Sequence, residues 1–277
     1  MLDYLLIDDI IWRALKEDMP MGDITTESTV SEDETSCARL IAKEDIVVAG
    51  IEVFCRVFIL LDSSINIERF VNDGDKISAG TVILKLSGNS RAMLKAERTA
   101  LNLLQRMSGI ATATRKFVDI IEGTNAKIVD TRKTAPGLRY LDKMAVRMGG
   151  GTNHRFCLSD GVLIKDNHIK ASGGITAAVE KARVRIPHTV KIEVETESLE
   201  QVKEALSAGA DIIMLDNMKP ETMKEAVSYI NGKALTEASG NITADNLAVV
   251  AKTGVDLISS GSLTHSVKAA DISLKFE

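Results

Sequence analysis

The chain has 277 residues, room for one large domain or two modest ones, and its 45% hydrophobic and 26% charged content is that of a globular protein able to bury a core. A net charge of −5 argues against general polyanion binding, so a basic cluster in this chain has to be read as a local site. Cys37, Cys55 and Cys157 are odd in number and far apart, which predicts neither a disulfide framework nor a thiolate zinc site and fits a reducing cytoplasm.

The first stretch, MLDYLLIDDIIWRALKED, carries acids among its apolar residues, so it reads as a helix over 3–17 and not as a signal peptide. No apolar run approaches membrane-spanning length. Strand-like CARLIAKEDIVVAG (37–50) follows, then a helix over 51–61 and a strand INIERF at 65–70. In VNDGDKISAGTVILKLSG (71–88), Gly74, Gly80 and Gly88 stand at turn positions between β-prone runs. A long helix begins near 90 and extends through 121. From there the pattern changes. Short apolar runs recur at AKIVD (126–130), GVLIK (161–165), TVKIEVE (189–195), ADIIMLD (210–216), KALTEAS (233–239) and VDLISS (255–260). Helical spacing separates several of them: Leu199, Val202 and Leu206; Met223, Ala226, Val227 and Ile230 after Pro220; Leu247, Val250 and Ala251.

Strands alternating with helices imply a parallel sheet with right-handed crossovers, either open and doubly wound or closed into a barrel. The regular spacing, and the lack of a G-x-G-x-x-G turn, favour the barrel. Six units are visible where a full barrel needs eight, so the barrel is incomplete or has an irregular strand near Gly149–Leu158. The predicted fold is therefore α/β, with an α+β domain over 1–110 and an α/β barrel domain over 111–277, whose last dozen residues are free to pack back on the first.

In a parallel barrel the C-terminal strand ends meet at one face, where active sites form. Here those ends carry Arg132 and Lys133; Lys165; Glu193 and Glu195; Asp216; Glu237 and Ser239; and Ser259, Ser260 and Gly261. Each has an ordinary structural explanation. Glu193 or Glu195 can pair with Lys165 or Lys191, the Arg132–Lys133 pair can open a solvated loop, and Asp216 can cap the turn before Pro220. Unrelated surface charges, however, need not all fall at one end of the strands. Cations with carboxylates and small residues suit an anionic ligand whose phosphates bring Mg²⁺, a hard cation that prefers oxygen.

GGGTNHR (149–155) adds three glycines, which let backbone approach a ligand, and the donors His154 and Arg155, the latter a fork matched to carboxylate or phosphate. His168, His188 and His265 read as packing, loop and capping residues. In ERTALNLLQRMSGIAT (97–112), Arg98 reads as an ordinary surface arginine on a helix. No G-x-S-x-G, no Ser with a convincing His and acid, and no Walker A motif is present, so positioned charges without a covalent intermediate are the simplest chemistry.

TRKTAPGLR, AVRMGGGTNHR, LIKDNHI, KIEVE, IIMLDN, EASGNI and ISSGSLTHS resemble, in this order, the quinolinate phosphoribosyltransferase family, and EDMPMGDITTE and ERTALNLLQRMSGIAT are similar to that family's first-domain motifs. The resemblance implies an open-faced α/β sandwich followed by an incomplete, TIM-like α/β barrel. It also implies a reaction: quinolinate and phosphoribosyl pyrophosphate give nicotinate mononucleotide, pyrophosphate and CO₂, on the de novo route to NAD. By resemblance, Arg132, His154, Arg155 and Lys165 would surround the quinolinate carboxylates, with Arg98 reaching in from the partner of a homodimer with shared sites. Lys133 and Lys165 would face phosphates. Glu195 and Asp216 would hold ribose hydroxyls or Mg²⁺, and Lys133, Lys165, Glu195 and Asp216 are the catalytic set. Ser239, Gly240, Asn241, Ser260 and Gly261 would line the phosphate end, Asn241 standing where many relatives have glycine. The implied protein is cytoplasmic, engages neither nucleic acid nor membrane, and forms dimers whose further assembly is left open. The competing readings are a ModD-like phosphoribosyltransferase paralogue with another base, a Schiff-base aldolase using Lys165, and a lipoyl- or biotinyl-type carrier around Lys76 and Lys85.

Overall fold

The computed structural model describes residues 3–277; the first two positions of the expected 1–110 domain lie outside the described residues. Along the chain come α1 (Tyr4–Asp18), α2 (Ile24–Thr29), β1 (Thr35–Ala42), β2 (Ile46–Val47), α3 (Ile51–Leu61), β3 (Asn66–Arg69), β4 (Lys76–Ile77), β5 (Val82–Asn89) and α4 (Ser90–Ile120). They are followed by β6 (Lys127–Val129), α5 (Arg139–Met148), β7 (Val162–Ile164), α6 (Asp166–Ser172), α7 (Ile175–Arg185), β8 (Ile192–Thr196) and α8 (Leu199–Ser207). The chain ends with β9 (Ile212–Asp216), α9 (Pro220–Ile230), β10 (Leu235–Ser239), α10 (Ala244–Ala251), β11 (Leu257–Ser259), α11 (Ser262–His265) and β12 (Ile272–Phe276).

Two compact units form. The first takes the described residues through Arg115 with Thr134–Gly150 and Ser266–Glu277, the second Lys116–Lys133 with Gly151–His265. The two units do not divide at a single point of the chain, because segments 134–150 and 266–277 return to the first. Helix α4 runs on without a break through residue 120, so no linker marks a division at 110. Residues 134–150 belong to the first unit because Leu141, Ala145 and Val146 of α5 bury in its core.

In the first unit an antiparallel sheet has the order β12-β1-β5-β3. Its strands alternate: Ala38, Leu40 and Ala42 of β1 and Leu84 and Leu86 of β5 are buried, while Arg39 and Lys85 between them are exposed. The buried side shares one core with Ile7, Ile11 and Leu15 of α1, Phe54 and Phe58 of α3, and Leu104 and Met107 of α4, leaving an open-faced α/β sandwich. Lys85 sits within the paired region of β5, between β1 and β3, and Lys76 pairs with Val47 of β2, which argues against the carrier reading.

The second unit is a six-stranded parallel sheet of order β6-β11-β10-β9-β8-β7 with β6 and β7 at its two edges, an incomplete barrel. The expected irregular strand near 149–158 reduces to a single bridge, Thr152 to Val129. Period-two alternation divides each strand between two faces. Ile192 and Val194, Ile213 and Leu215, Ala238, and Ile258 join one apolar cluster with Val179, Val202, Ala226 and Leu247 of the surrounding helices. Their alternates, Glu193 and Glu195, Met214 and Asp216, Glu237 and Ser239, and Ser259, point the other way, and it is this inner face that carries the chemistry. Among the described residues no helix is long and apolar enough to cross a membrane.

Candidate active site

At the C-terminal strand ends of the second unit a cleft of about 820 Å³ opens. Its lining includes Arg132 and Lys133 after β6, His154 and Arg155, Lys165 after β7, Glu195, Asp216, Ser239 with Gly240 and Asn241, and Ser260 with Gly261. Every residue expected at the site is therefore brought together except Arg98, which stands exposed on α4 in the first unit and is not among the lining residues.

Two layers of inward side chains build the cleft. Nearer the mouth, Lys165 Nζ meets Glu195 Oε2 at 2.6 Å. Its backbone N–H donates to His168 Nδ1 at 2.9 Å, so the histidine read as packing behind the strand end fixes the first turn of α6. Asp216 Oδ2 accepts from Asn217 Nδ2 at 2.7 Å, and Asn217 Oδ1 accepts from Asn241 Nδ2 at 3.0 Å. Asn217, Gly240 and Asn241 all have positive φ. Asparagine enters that region more readily than most residues, so Asn241 holds the turn without strain. A Cβ on Gly240 would come within 2.2 Å of Asn217 Oδ1, and one on Gly261 within 2.8 Å of Lys133 Cδ, so both glycines keep this end narrow and backbone-lined.

One residue deeper along each strand lie Glu193 and Glu237. Sequence reasoning placed them at strand ends, offering Glu193 an ion pair with Lys165 or Lys191 and Glu237 no role, although their spacing of two from Glu195 and Ser239 puts them on the same face. His154 Nε2 is 3.0 Å from Glu193 Oε2 and 3.5 Å from Glu237 Oε2. His154 Nδ1 accepts the Arg155 N–H at 2.8 Å, so the ring proton resides on Nε2 and points at the acids. These three residues have the spacing of a metal cluster, but an Nε2 that carries a proton is a donor and not a ligand. Burial first, then the neighbouring Glu193 carboxylate, push the Glu237 carboxyl up to about 7, with His154 opposing.

The GGGTNHR segment is held by Asp130, a fully buried acid that sequence reasoning missed. Its oxygens accept from Asn153 Nδ2 at 2.6 Å and from the His154 N–H at 2.8 Å. Arg155 Nη1 donates to the Gly161 carbonyl at 2.9 Å. Burial and then the Arg132 guanidinium press Arg155 below the ordinary arginine value, the mark of two cations crowded at one place. His265, read from sequence as a capping residue, also lines the cleft, and its ring would lie 3.0 Å from a Cβ on Gly261. The signal was its spacing of four from that glycine.

A parallel α/β barrel that gathers two arginines and two lysines with two acids at its mouth defines an enzyme that brings polyanionic substrates together by charge. Comparison with known proteins makes the class specific. Residues 23–108 match the family profile "Quinolinate phosphoribosyl transferase, N-terminal domain" and 110–275 the corresponding C-terminal domain. The chain is 46% identical over 274 residues to the "Probable nicotinate-nucleotide pyrophosphorylase (carboxylating)" of Bacillus subtilis (strain 168), covering 99% of this chain and 94% of that one. It is 44% identical to the mitochondrial "Quinolinate phosphoribosyltransferase (decarboxylating) 2" of Nicotiana glauca, covering 98% of this chain and 82% of the relative. The crystal structure of NadC from Streptococcus pyogenes superposes with a TM-score of 0.96 at 42% identity, over 100% of this chain and 99% of that one. The chain belongs to the quinolinate phosphoribosyltransferase family.

Proposed function

We infer that the protein transfers the phosphoribosyl group of phosphoribosyl pyrophosphate to quinolinate with loss of CO₂, giving nicotinate mononucleotide and pyrophosphate for NAD synthesis. The carrying observation is the cation set Arg132, Lys133, Arg155 and Lys165 lining one cleft. A dicarboxylate and a pyrophosphate repel each other, and cations between them offset that repulsion and stabilise charge on the departing pyrophosphate. Arg132 and Arg155, with His154 and Lys165, receive the carboxylates. Lys133 and the Ser239–Asn241 and Ser260–Gly261 turns take the phosphates. Holding both reactants in one pocket then supplies orientation.

Mg²⁺ fits the remaining acids. Glu195 and Asp216 offer carboxylate oxygens on the half-buried inner face of neighbouring strands β8 and β9, a donor set suited to a hard cation. When bound it would neutralise pyrophosphate charge. The aldolase reading loses support, since Lys165 is ion-paired with Glu195 at 2.6 Å. A homodimer is proposed with this function, Arg98 of one subunit entering the cleft of the other, and further assembly stays open. The cysteines Cys37, Cys55 and Cys157 are all free, which supports a cytoplasmic setting.

The test is direct: incubate the protein with phosphoribosyl pyrophosphate, Mg²⁺ and either quinolinate or nicotinate. Nicotinate mononucleotide and CO₂ from quinolinate alone is the expected result. Phosphoribosyl pyrophosphate binding without turnover of quinolinate would transfer the assignment to a paralogue with another base.

A further inference from the structure

The reaction just proposed leaves one atom unassigned. When CO₂ departs from the ring carbon beside the nitrogen, its bonding electron pair stays on that carbon, and a proton must replace the carboxylate. We propose that Glu237, in the deeper layer of the cleft, is the acid that delivers this proton.

The geometry singles it out. Glu237 is fully buried, yet it is among the residues that line the cleft. Its carboxyl oxygens make no hydrogen bond of good geometry, with the Ser259 hydroxyl and the His154 ring, 3.5 Å away, as the polar groups beside them. The other proton carriers are engaged or unsuited. Lys165 is paired with Glu195 at 2.6 Å. The His154 Nε2–H is directed at Glu193 at 3.0 Å. Lys133 is exposed to solvent. The Ser259 hydroxyl is buried beside Glu237, but an alcohol is far too weak an acid.

The surroundings keep Glu237 in its acid form. Glu193 faces it from β8, the ring of His154 from the segment before β7, Ser259 from β11, and Asp130 acts on it from the end of β6. The Glu193 carboxyl lies against the His154 N–H, and a second charge on the carboxyl beside it is disfavoured. The carboxyl consequently titrates near 7, the range in which an acid is both stocked with a proton and able to release it. A neutral acid in this place also spares the incoming dicarboxylate a repulsion that an ionised one would impose.

The bond from ring carbon to carboxylate breaks, CO₂ leaves, and the electron pair remains on the carbon beside the positively charged ring nitrogen. The O–H bond of Glu237 breaks, its electrons stay on oxygen, and the carbon–hydrogen bond of nicotinate mononucleotide forms. Water regenerates the acid after product leaves.

This proposal rests on the assigned reaction, and rapid-quench single turnovers with quinolinate, phosphoribosyl pyrophosphate and Mg²⁺ separate the two. Pyrophosphate and nicotinate mononucleotide are quantified in each quench. No pyrophosphate from the native protein would sink the assigned reaction itself. With Glu237→Gln, whose amide keeps the size but has no acidic proton, mononucleotide formation is expected to lag pyrophosphate release by about 100-fold, the scale of one general acid. In that case quinolinate mononucleotide accumulates and labelled CO₂ exchanges back into it. Equal rates of the two products in the variant, fast or slow, would overturn the role. Should the variant fail to fold by circular dichroism, the native protein decides. Its lag should grow as pH passes above about 7, and a lag independent of pH from about 6 to 9 would overturn the proposal.

Discussion

Asp130 shows how much of the site depends on one side chain that touches no proposed substrate group. Its two oxygens hold Asn153 and the His154 backbone, and so aim Arg155 as well. Asp130→Ala orphans both donors, each costing about 1–3 kcal/mol when buried. The expected outcome is a lower melting temperature together with a KM for quinolinate raised more than the KM for phosphoribosyl pyrophosphate. Equal changes in both constants would show that the residue serves stability alone. Glu237 makes an opposite contribution to stability. Its folded carboxyl titrates near 7, above the ordinary 4.5, so the folded state holds a proton that the unfolded chain releases. Its contribution is greatest below about pH 4.5 and is lost as pH rises towards 7. Thermal melts should therefore show native stability declining across that window more steeply than that of Glu237→Gln, and parallel pH curves would exclude an elevated carboxyl.

At the scale of elements, the parts that sequence made legible were those with one period and one purpose. The inner and outer faces of β8, β9 and β10 could be read because a period of two separates Glu193 and Glu195 from Ile192 and Val194. Helix α4 was readable through its length. Helix α5 was not, because RKTAPG reads as a turn and charges intervene between Leu141, Ala145 and Val146. Two-residue strands such as β2 and β4, paired only as Ile46–Ile77 and Val47–Lys76, carry too few residues for any period. Nor could sequence show how the 266–271 segment passes α4. A Cβ on Gly109 would lie 2.2 Å from the Lys268 carbonyl oxygen and 3.1 Å from Val267 Cγ1. Gly109 is helical, where alanine is intrinsically better by roughly 1 kcal/mol. Overpacking against backbone wins, since it costs typically 1–3 kcal/mol and the carbonyl cannot rotate aside. Gly109→Ala should therefore lower the denaturation midpoint, and a stabilised variant would show that the segment yields.

At the scale of the whole molecule, Arg98 is the residue that one chain leaves unexplained. It is exposed on α4, beside the Glu97 carboxyl. The proposed shared site gives it a use and makes a quantitative demand. A two-fold dimer has two equivalent sites, each drawing Arg98 from one subunit and Arg155 from the other. Arg98→Ala homodimers and Arg155→Ala homodimers are then both inactive. Mixing equal amounts through unfolding and refolding, or by co-expression, yields about half mixed dimers. In each mixed dimer one site carries both defects and the other carries neither. Recovered activity should approach about a quarter of that of the native protein, following the fraction of mixed dimers isolated by differential tagging. A purified mixed dimer as inactive as its parents would place Arg98 and Arg155 in the same subunit's site, whereas a fully active Arg98→Ala homodimer would remove Arg98 from the chemistry altogether.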